Sequence, residues 1–259
     1  MSEHYTFPEV TLLITHYNRS KSLERLLRSF LSLGCRFATI VVSDDGSKPE
    51  HLQKLRLLQS EFLFELITTP INRGLGNNIN KGQDAVKTPY TLYVQEDFIP
   101  TALFPDKLVE SIRFMTKDSG LDMVRFYAYF KYPYLRPKAH GFSEMLFRVT
   151  KPGYSKFYMY SDHPHLRRSS FFSKFGRYVE GKKGDVTEYR MMMSFLKNEG
   201  RSLFFEDYKD LFLQENCSVE PSTMKRNLLR ESNNFAISWA RHFYRHVKFN
   251  SDYLLAKGG

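Results

Sequence analysis

The sequence predicts an α/β fold, a mostly parallel sheet with helices on both faces, and three observations carry that prediction. Short apolar runs alternate with stretches whose apolar residues fall at helical spacing. The runs have few polar interruptions, as strands buried on both faces do. Right-handed crossovers then bring the polar loops after successive strands to one sheet edge, where ligands bind in such folds.

The elements follow in order. Val10–Ile14 is a strand, the loop THYNRS follows, and Leu23, Leu26, Leu27 and Phe30 mark a helix ending near Gly34. Thr39–Val42 is a second strand. After DDG, Ser47 and Glu50 have capping-box spacing, Pro49 suits a first helical turn, and Leu52, Leu55 and Leu58 continue the helix. Phe62–Ile67 is a third strand, NRGLGNN leads into a helix reaching Val86, and TPYTLYV is a fourth strand. Further on, a helix is expected at Asp106–Met115 and a strand at Met123–Tyr127. Residues 130–165 give no clear period. A helix from Val186 to Leu196 places Val186, Tyr189, Met193 and Leu196 on one core face. The tail ISWARHFYRHVKF mixes Trp239, Phe243, Val247 and Phe249 with Arg241, Arg245 and Lys248, and either lies on an anionic membrane or docks on the domain.

Composition excludes several classes. At 42% hydrophobic and 25% charged over 259 residues the chain is globular, which sets aside disordered and fibrous proteins. The start MSEHYTFPEV lacks a secretion signal and no run is apolar enough to cross a bilayer, so a cytoplasmic location is expected. Cys35 and Cys217 form neither a disulfide framework nor a zinc site, and both are read as reduced and structural. A net charge of +10 suits phosphate-bearing partners: nucleotides, nucleic acid or anionic headgroups.

The stretch LYVQEDF changes character abruptly, from a buried strand to two carboxylates. Acids at a strand end are ordinary turn residues. THYNR, SDDGS and QEDF, however, all follow strands and are expected to converge on one crevice.

The order VTLLITHYNRSKSLERLLRSF, IVVSDDGSKPE, NRGLGNNINKG, LYVQEDF, HPHLRRSSFFSKFGRYVEG and GDVTEYRM resembles family 2 of the glycosyltransferases, from about Val10 to Met193. The resemblance implies the GT-A fold, a Rossmann-like sheet with acceptor-side elements and a helical C-terminal tail. It divides the chain into a nucleotide-sugar-binding half at 1–100, an acceptor-binding and catalytic half of the same domain at 101–215, and a tail at 216–259. It implies an inverting enzyme that moves a sugar from a nucleotide-diphosphate donor, most simply a UDP-sugar, to an acceptor hydroxyl. Thr15, Tyr17, Asn18 and Arg19 match the first nucleotide loop. Asp44 and Asp45 match the acids that meet base or ribose, with Gly46 allowing the exit turn. Asn72, Arg73, Gly74 and Asn78 match the segment beside the diphosphate and sugar.

LYVQEDF matches the acidic motif usually written Asp-x-Asp, which binds the diphosphate's divalent metal, Mn²⁺ or Mg²⁺. Gln95 departs from type at its first position, so Asp97 is the expected metal ligand and Glu96 a donor contact. Gly184 and Asp185 stand where relatives carry a Glu-Asp pair, which makes Asp185 the expected general base. It also suits a helix N-cap, and Glu180 and Glu188 are fallback bases. Many relatives complete the metal site with a late His; FLQENCS offers Gln214 and Asn216, so the expectation is either a lower metal affinity or a share of the neutralisation for Arg73 or Arg190. His163 and His165 read as acceptor-site or structural residues rather than a zinc pair. The acceptor implied is a glycan or lipid-linked glycan in surface-polysaccharide assembly, with peripheral contact at the inner membrane face and no nucleic acid. Two competing classes are nucleotidyl transfer, which would want a glycine-rich phosphate loop where THYNRS stands, and a non-catalytic glycan- or nucleic-acid-binding protein using the 16 Tyr and 23 Phe to stack on rings.

Overall fold

A computed structural model describes residues 4–215 and 235–255, with side chains of the last helix from residue 242 onward. The first half is a wound α/β unit. It runs β1 (Tyr5–His16), α1 (Ser20–Ser32), β2 (Cys35–Asp44), α2 (Pro49–Phe62), β3 (Glu65–Ile67), α3 (Leu75–Asp84) and β4 (Tyr90–Gln95), with all four strands parallel in the order β3-β2-β1-β4. β1 and β2 extend beyond their apolar cores because Tyr5 pairs with Cys35 and His16 with Asp44 at opposite ends of the ladder. Helix α1 buries Leu23, Leu26, Leu27 and Phe30, as the spacing predicts.

Two local expectations are corrected at α2. Pro49 occupies the first turn, but the residue before it, Lys48, is the N-cap; Ser47 makes no capping bond and turns its hydroxyl to Asp44 instead. Phe62 belongs to the helix, which ends on Leu63 at φ 53, so the third strand shrinks to three residues.

The second half converts the sheet from parallel to mixed. It contributes β5 (Phe98–Pro100), α4 (Phe104–Lys117), β6 (Met123–Arg125), β7 (Leu135–Ala139), β8 (Phe142–Met145), β9 (His165–Arg168), α5 (Phe171–Phe175), α6 (Gly184–Lys197), β10 (Ser202–Phe205) and β11 (Phe212–Gln214). Among the described residues nine strands form one sheet, ordered β3-β2-β1-β4-β9-β6-β10-β8-β7. β9 runs antiparallel to both β4 and β6, pairing His165 with Tyr93 and with Arg125. That reversal carries the segment before β9, residues 161–163, to the edge where β4 ends. β5 and β11 make a separate ribbon that pairs Phe98 with Gln214 beside the acids.

Helix α6 matches the expected span, but Val186 is exposed and Tyr189 half-buried; the inward face is Thr187, Met191, Met192, Met193, Phe195 and Leu196. The last helix, α7 (Phe235–Leu255), docks on the domain. Phe249 is buried, with its ring 4.9 Å from that of Tyr189 and 5.6 Å from that of Phe157. Asn216 and Cys217, and the side chains of Trp239 and Arg241, lie outside the described residues. Burial pushes the Cys35 thiol up to about 12, which keeps it unreactive. No described helix is long and apolar enough to cross a membrane.

Candidate active site

Three strand-end loops meet at the expected edge. After β1, the buried His16 ring bonds Asp44 Oδ1 through Nδ1 at 2.8 Å and accepts the Arg19 N–H at Nε2, 3.1 Å away. An accepting Nε2 leaves the proton on Nδ1, so the ring joins the two loops as a neutral group. Asn18 sits at φ 55, which Asn tolerates better than most residues. Its N–H donates to Ser47 Oγ and its Oδ1 accepts the Lys48 N–H, both at 2.8 Å. The Thr15 hydroxyl bonds the Tyr93 phenol at 3.0 Å, and Tyr17 stays half-buried.

The adjacent acids part company. Asp44 is fully buried and takes hydrogen bonds from His16 and from both the hydroxyl and the N–H of Ser47. Burial alone would raise its pKa; these bonds outweigh burial and hold it below the ordinary carboxylate value. Asp45 instead braces the next loop, accepting Arg73 N–H and Gly74 N–H at 2.8 Å each, while burial pushes its pKa up. Gly46, at φ +69, lies where a Cβ would come 2.4 Å from the Ile71 carbonyl carbon, so only glycine admits this approach of loops. The side chains of Asn72 and Arg73 remain exposed. Asn78 points beneath the loops, donating to the His16 carbonyl at 3.2 Å and accepting from Ser43 Oγ at 2.7 Å.

At the end of β4, Arg19 Nη1 stands 3.6 Å from Glu96 Oε1 and 3.4 Å from Asp97 Oδ2. Gln214 Nε2 donates to Asp97 Oδ2 at 3.0 Å, and Tyr129 OH donates to Gln214 Oε1 at 3.1 Å. The other carboxylate oxygen, Asp97 Oδ1, is buried with no hydrogen-bond partner among the described residues. A desolvated anionic oxygen without a donor suits a hard cation, and Mg²⁺ or Mn²⁺ often takes one or two protein carboxylates with water and phosphate completing the shell. Asp97 therefore fits a diphosphate-bound metal as a single protein ligand; among the described residues no three His, Cys, Asp or Glu side chains gather into a full cage.

The opposite wall comes from α6 and the segment before β9. Lys183, not Asp185, is the N-cap, so the capping role expected of Asp185 is corrected; the half-buried Asp185 lies in the first turn, where its charge complements the helix dipole. One turn on, Glu188 accepts the Asp162 N–H at 3.1 Å. Asp162 is buried, with Oδ1 accepting from Tyr160 OH at 2.7 Å; Tyr160 meets Tyr178 OH, to which Arg167 donates at 2.9 Å. Burial and the Glu188 charge push Asp162 up to about 8, beyond what Tyr160 and Arg167 offset. Burial raises Glu188 as well.

Asp162 is a buried acid that sequence reasoning missed, since one Asp in SDHPH carries no local signal. Glu180 is held by the Asn77 and Asn80 amides at 2.8 and 2.9 Å, which draws it below the usual range and braces α3. Burial keeps His163 neutral, its pKa lowered to about 3, and holds His165 well below its usual value.

The comparisons agree with this architecture. An alignment of 24% identity over 112 residues relates the chain to the poly-β-1,6-N-acetyl-D-glucosamine synthase of Staphylococcus epidermidis, covering 43% of this chain and 27% of that protein. The chain thus spans about a quarter of that curated relative's length. Residues 1–349 of S. aureus TarS with UDP-GlcNAc superpose at a TM-score of 0.65 and 16% identity, covering 96% of this chain and 76% of that one. In another crystal structure of the same TarS residues, 59% of that chain is covered. Mannosyltransferase PcManGT from Pyrobaculum calidifontis, with GDP-Man and Mn²⁺, superposes at 0.59 and 12% identity, covering 100% and 69%. At these identities the solved structures establish the GT-A fold. The glycosyl transferase family 2 signature matches residues 11–179, well over half of the chain, which joins the strand-end loops, the acidic motif and β9 in one domain: the chain belongs to glycosyl transferase family 2.

Proposed function

We propose that this chain is an inverting glycosyltransferase that moves a sugar from a UDP-sugar to an acceptor hydroxyl. The observation that carries the reading is the linkage of three strand-end loops, the second bonded to the first through His16 and Asn18 and the first reaching Asp97 through Arg19, with Asp97 Oδ1 buried and lacking a partner among the described residues. Thr15, Tyr17, Asp45 and the 72–74 loop border the space for base, ribose and diphosphate. Arg19 and the exposed Arg73 supply positive charge where the diphosphate leaves. When bound through Asp97, Mg²⁺ or Mn²⁺ supplies Lewis-acid stabilisation of that leaving group. Asp185 takes the acceptor hydroxyl's proton as its oxygen bonds the anomeric carbon and the bond from that carbon to the diphosphate breaks on the opposite face. Glu96 orients the donor's ribose or sugar.

The acceptor is a glycan or lipid-linked glycan presented at the cytoplasmic face of a membrane, a reading supported by the net charge of +10 and by the exposed Tyr244, Val247, Leu254 and Leu255 of α7. Thermal-shift measurements with UDP, GDP, CMP and TDP, each with and without Mn²⁺, test the core of the proposal. UDP is expected to raise Tm most, with a further Mn²⁺-dependent rise that Asp97→Ala removes. No stabilisation by any nucleotide would overturn the reading, and an unchanged metal increment in Asp97→Ala would remove Asp97 from the metal.

A further inference from the structure

Resting on that reading, we infer that the cavity between β6, the 128–132 segment and α6 is the subsite for one sugar ring of the acceptor, held between an aromatic rim and a polar floor. Its volume is about 100 Å³, and Arg125, Tyr129, Phe130, Tyr158, His163 and Glu188 shape it. That is room for one edge of a pyranose and not for a nucleotide.

The rim is made of rings left at the surface: Tyr129 is 59% exposed and Phe130 41% exposed, with Tyr158 set edge-on to Phe130 at 5.4 Å. Large aromatic side chains at the mouth of a concave site present apolar faces that the C–H face of a sugar covers. The floor is polar in a particular way. Arg125 is buried; its terminal nitrogens donate to the Tyr158 carbonyl and to Ser161 Oγ, both at 2.6 Å, but its Nε–H has no partner among the described residues. A buried donor in this state calls for an acceptor. Glu188 lines the same cavity. A hydroxyl group both accepts and donates, so one sugar hydroxyl satisfies the pair. Arg125 and Glu188 also oppose one another in charge, which favours a neutral sugar over an anionic one.

Position distinguishes acceptor from donor. Two hydrogen bonds, Tyr129 to Gln214 and Gln214 to Asp97, join the rim to the acidic motif, and the His163 ring packs 4.5 Å from Tyr129 and 6.1 Å from Phe98. On the other side Glu188 lies one helical turn beyond Asp185. The cavity is therefore flanked by the end that holds the diphosphate and the end that removes the acceptor's proton.

Saturation-transfer NMR on the full chain with UDP and Mn²⁺ tests this, using trisaccharides that end in N-acetylglucosamine, glucose, galactose or mannose. At least one is expected to bind, and Phe130→Ala and Phe130→Ser, at the surface and with no bond to the acidic motif, are expected to weaken it about tenfold while leaving UDP affinity unchanged. Equal glycan binding by wild type and variants, or no glycan binding by a chain that still binds UDP, would overturn the inference. So would a loss of UDP-GlcNAc affinity without loss of UDP affinity, which would make the cavity the donor-sugar pocket. Failure of the wild-type chain to bind UDP would instead overturn the functional reading beneath it.

Discussion

The donor-side and acceptor-side halves hold their polar groups in opposite ways. Between β1 and β4, carboxylates brace neighbouring loops: Asp44 takes His16 and Ser47, and Asp45 takes two backbone N–H groups of the following loop. Between β6 and α6, charged groups sink among aromatic rings instead. Arg167 is fully buried against Tyr93, Phe171, Phe172 and Tyr178, with hydrogen bonds to Gln83 and Tyr178. Arg125 is buried nearby, as is Asp162, whose carboxyl pKa burial pushes up to about 8. A loop brace fixes backbone shape at the sheet edge; a charge sunk in a ring cluster is costly to leave unpaired and so is held by hydrogen bonds from several segments.

The sharpest way to break this division is Asp185→Asn. If the acceptor half supplies the base, kcat falls about 10³-fold while UDP affinity is unchanged, since Asp185 is half-buried in a first turn and the fold tolerates an isosteric amide. Steady-state UDP release alongside UDP titration measures both. Retained turnover would move the base to Glu188.

Gly46→Ala probes the donor half. Its Cβ would meet the Ile71 carbonyl carbon at 2.4 Å in a left-handed conformation, forcing apart the loops that Asp45 joins. The expected cost is about 2 kcal/mol in urea denaturation, with weaker UDP binding and unaltered trisaccharide binding. Equal loss of both ligands would mean that the two halves respond as one.

The same contrast explains what could be read from the chain beforehand. The four parallel strands, their helices and the meeting of THYNR, SDDGS and QEDF were legible because period and turn chemistry are local signals. Ser47 misled because its hydroxyl suits a cap and a carboxylate equally, and the Asp44 beside it won. Val186 misled because the inward face of α6 is set by Thr187, Met191 and Phe195, a rotation that helical spacing alone did not settle. The β7–β8 hairpin was unreadable since LRPKA is a charged, proline-bearing edge strand, mostly exposed, whose tip His140 and Gly141 carries the positive φ angles. Arg125, Asp162 and Arg167 gave no warning: rings from distant segments bury them, and sequence spacing records none of that.

The pH dependence of stability is the effect most specific to the acceptor half. Unfolded, Asp162 titrates at its ordinary value of 3.8; folded, burial and Glu188 push it up to about 8. Between those values the folded chain holds a proton that the unfolded chain has lost, so stability falls as pH climbs from about 4 to about 8 and levels off above. Glu188, also raised, adds in the same direction. Asp162→Asn keeps an oxygen for Tyr160 OH and cannot ionise, so its Tm is expected to fall less between pH 5 and pH 8 than that of wild type. Parallel Tm profiles would mean that Asp162 is already ionised in the folded chain, with Arg167 reaching it through Tyr178 and Tyr160 more effectively than burial opposes it. In that case the contrast between the halves would be one of packing and not of charge.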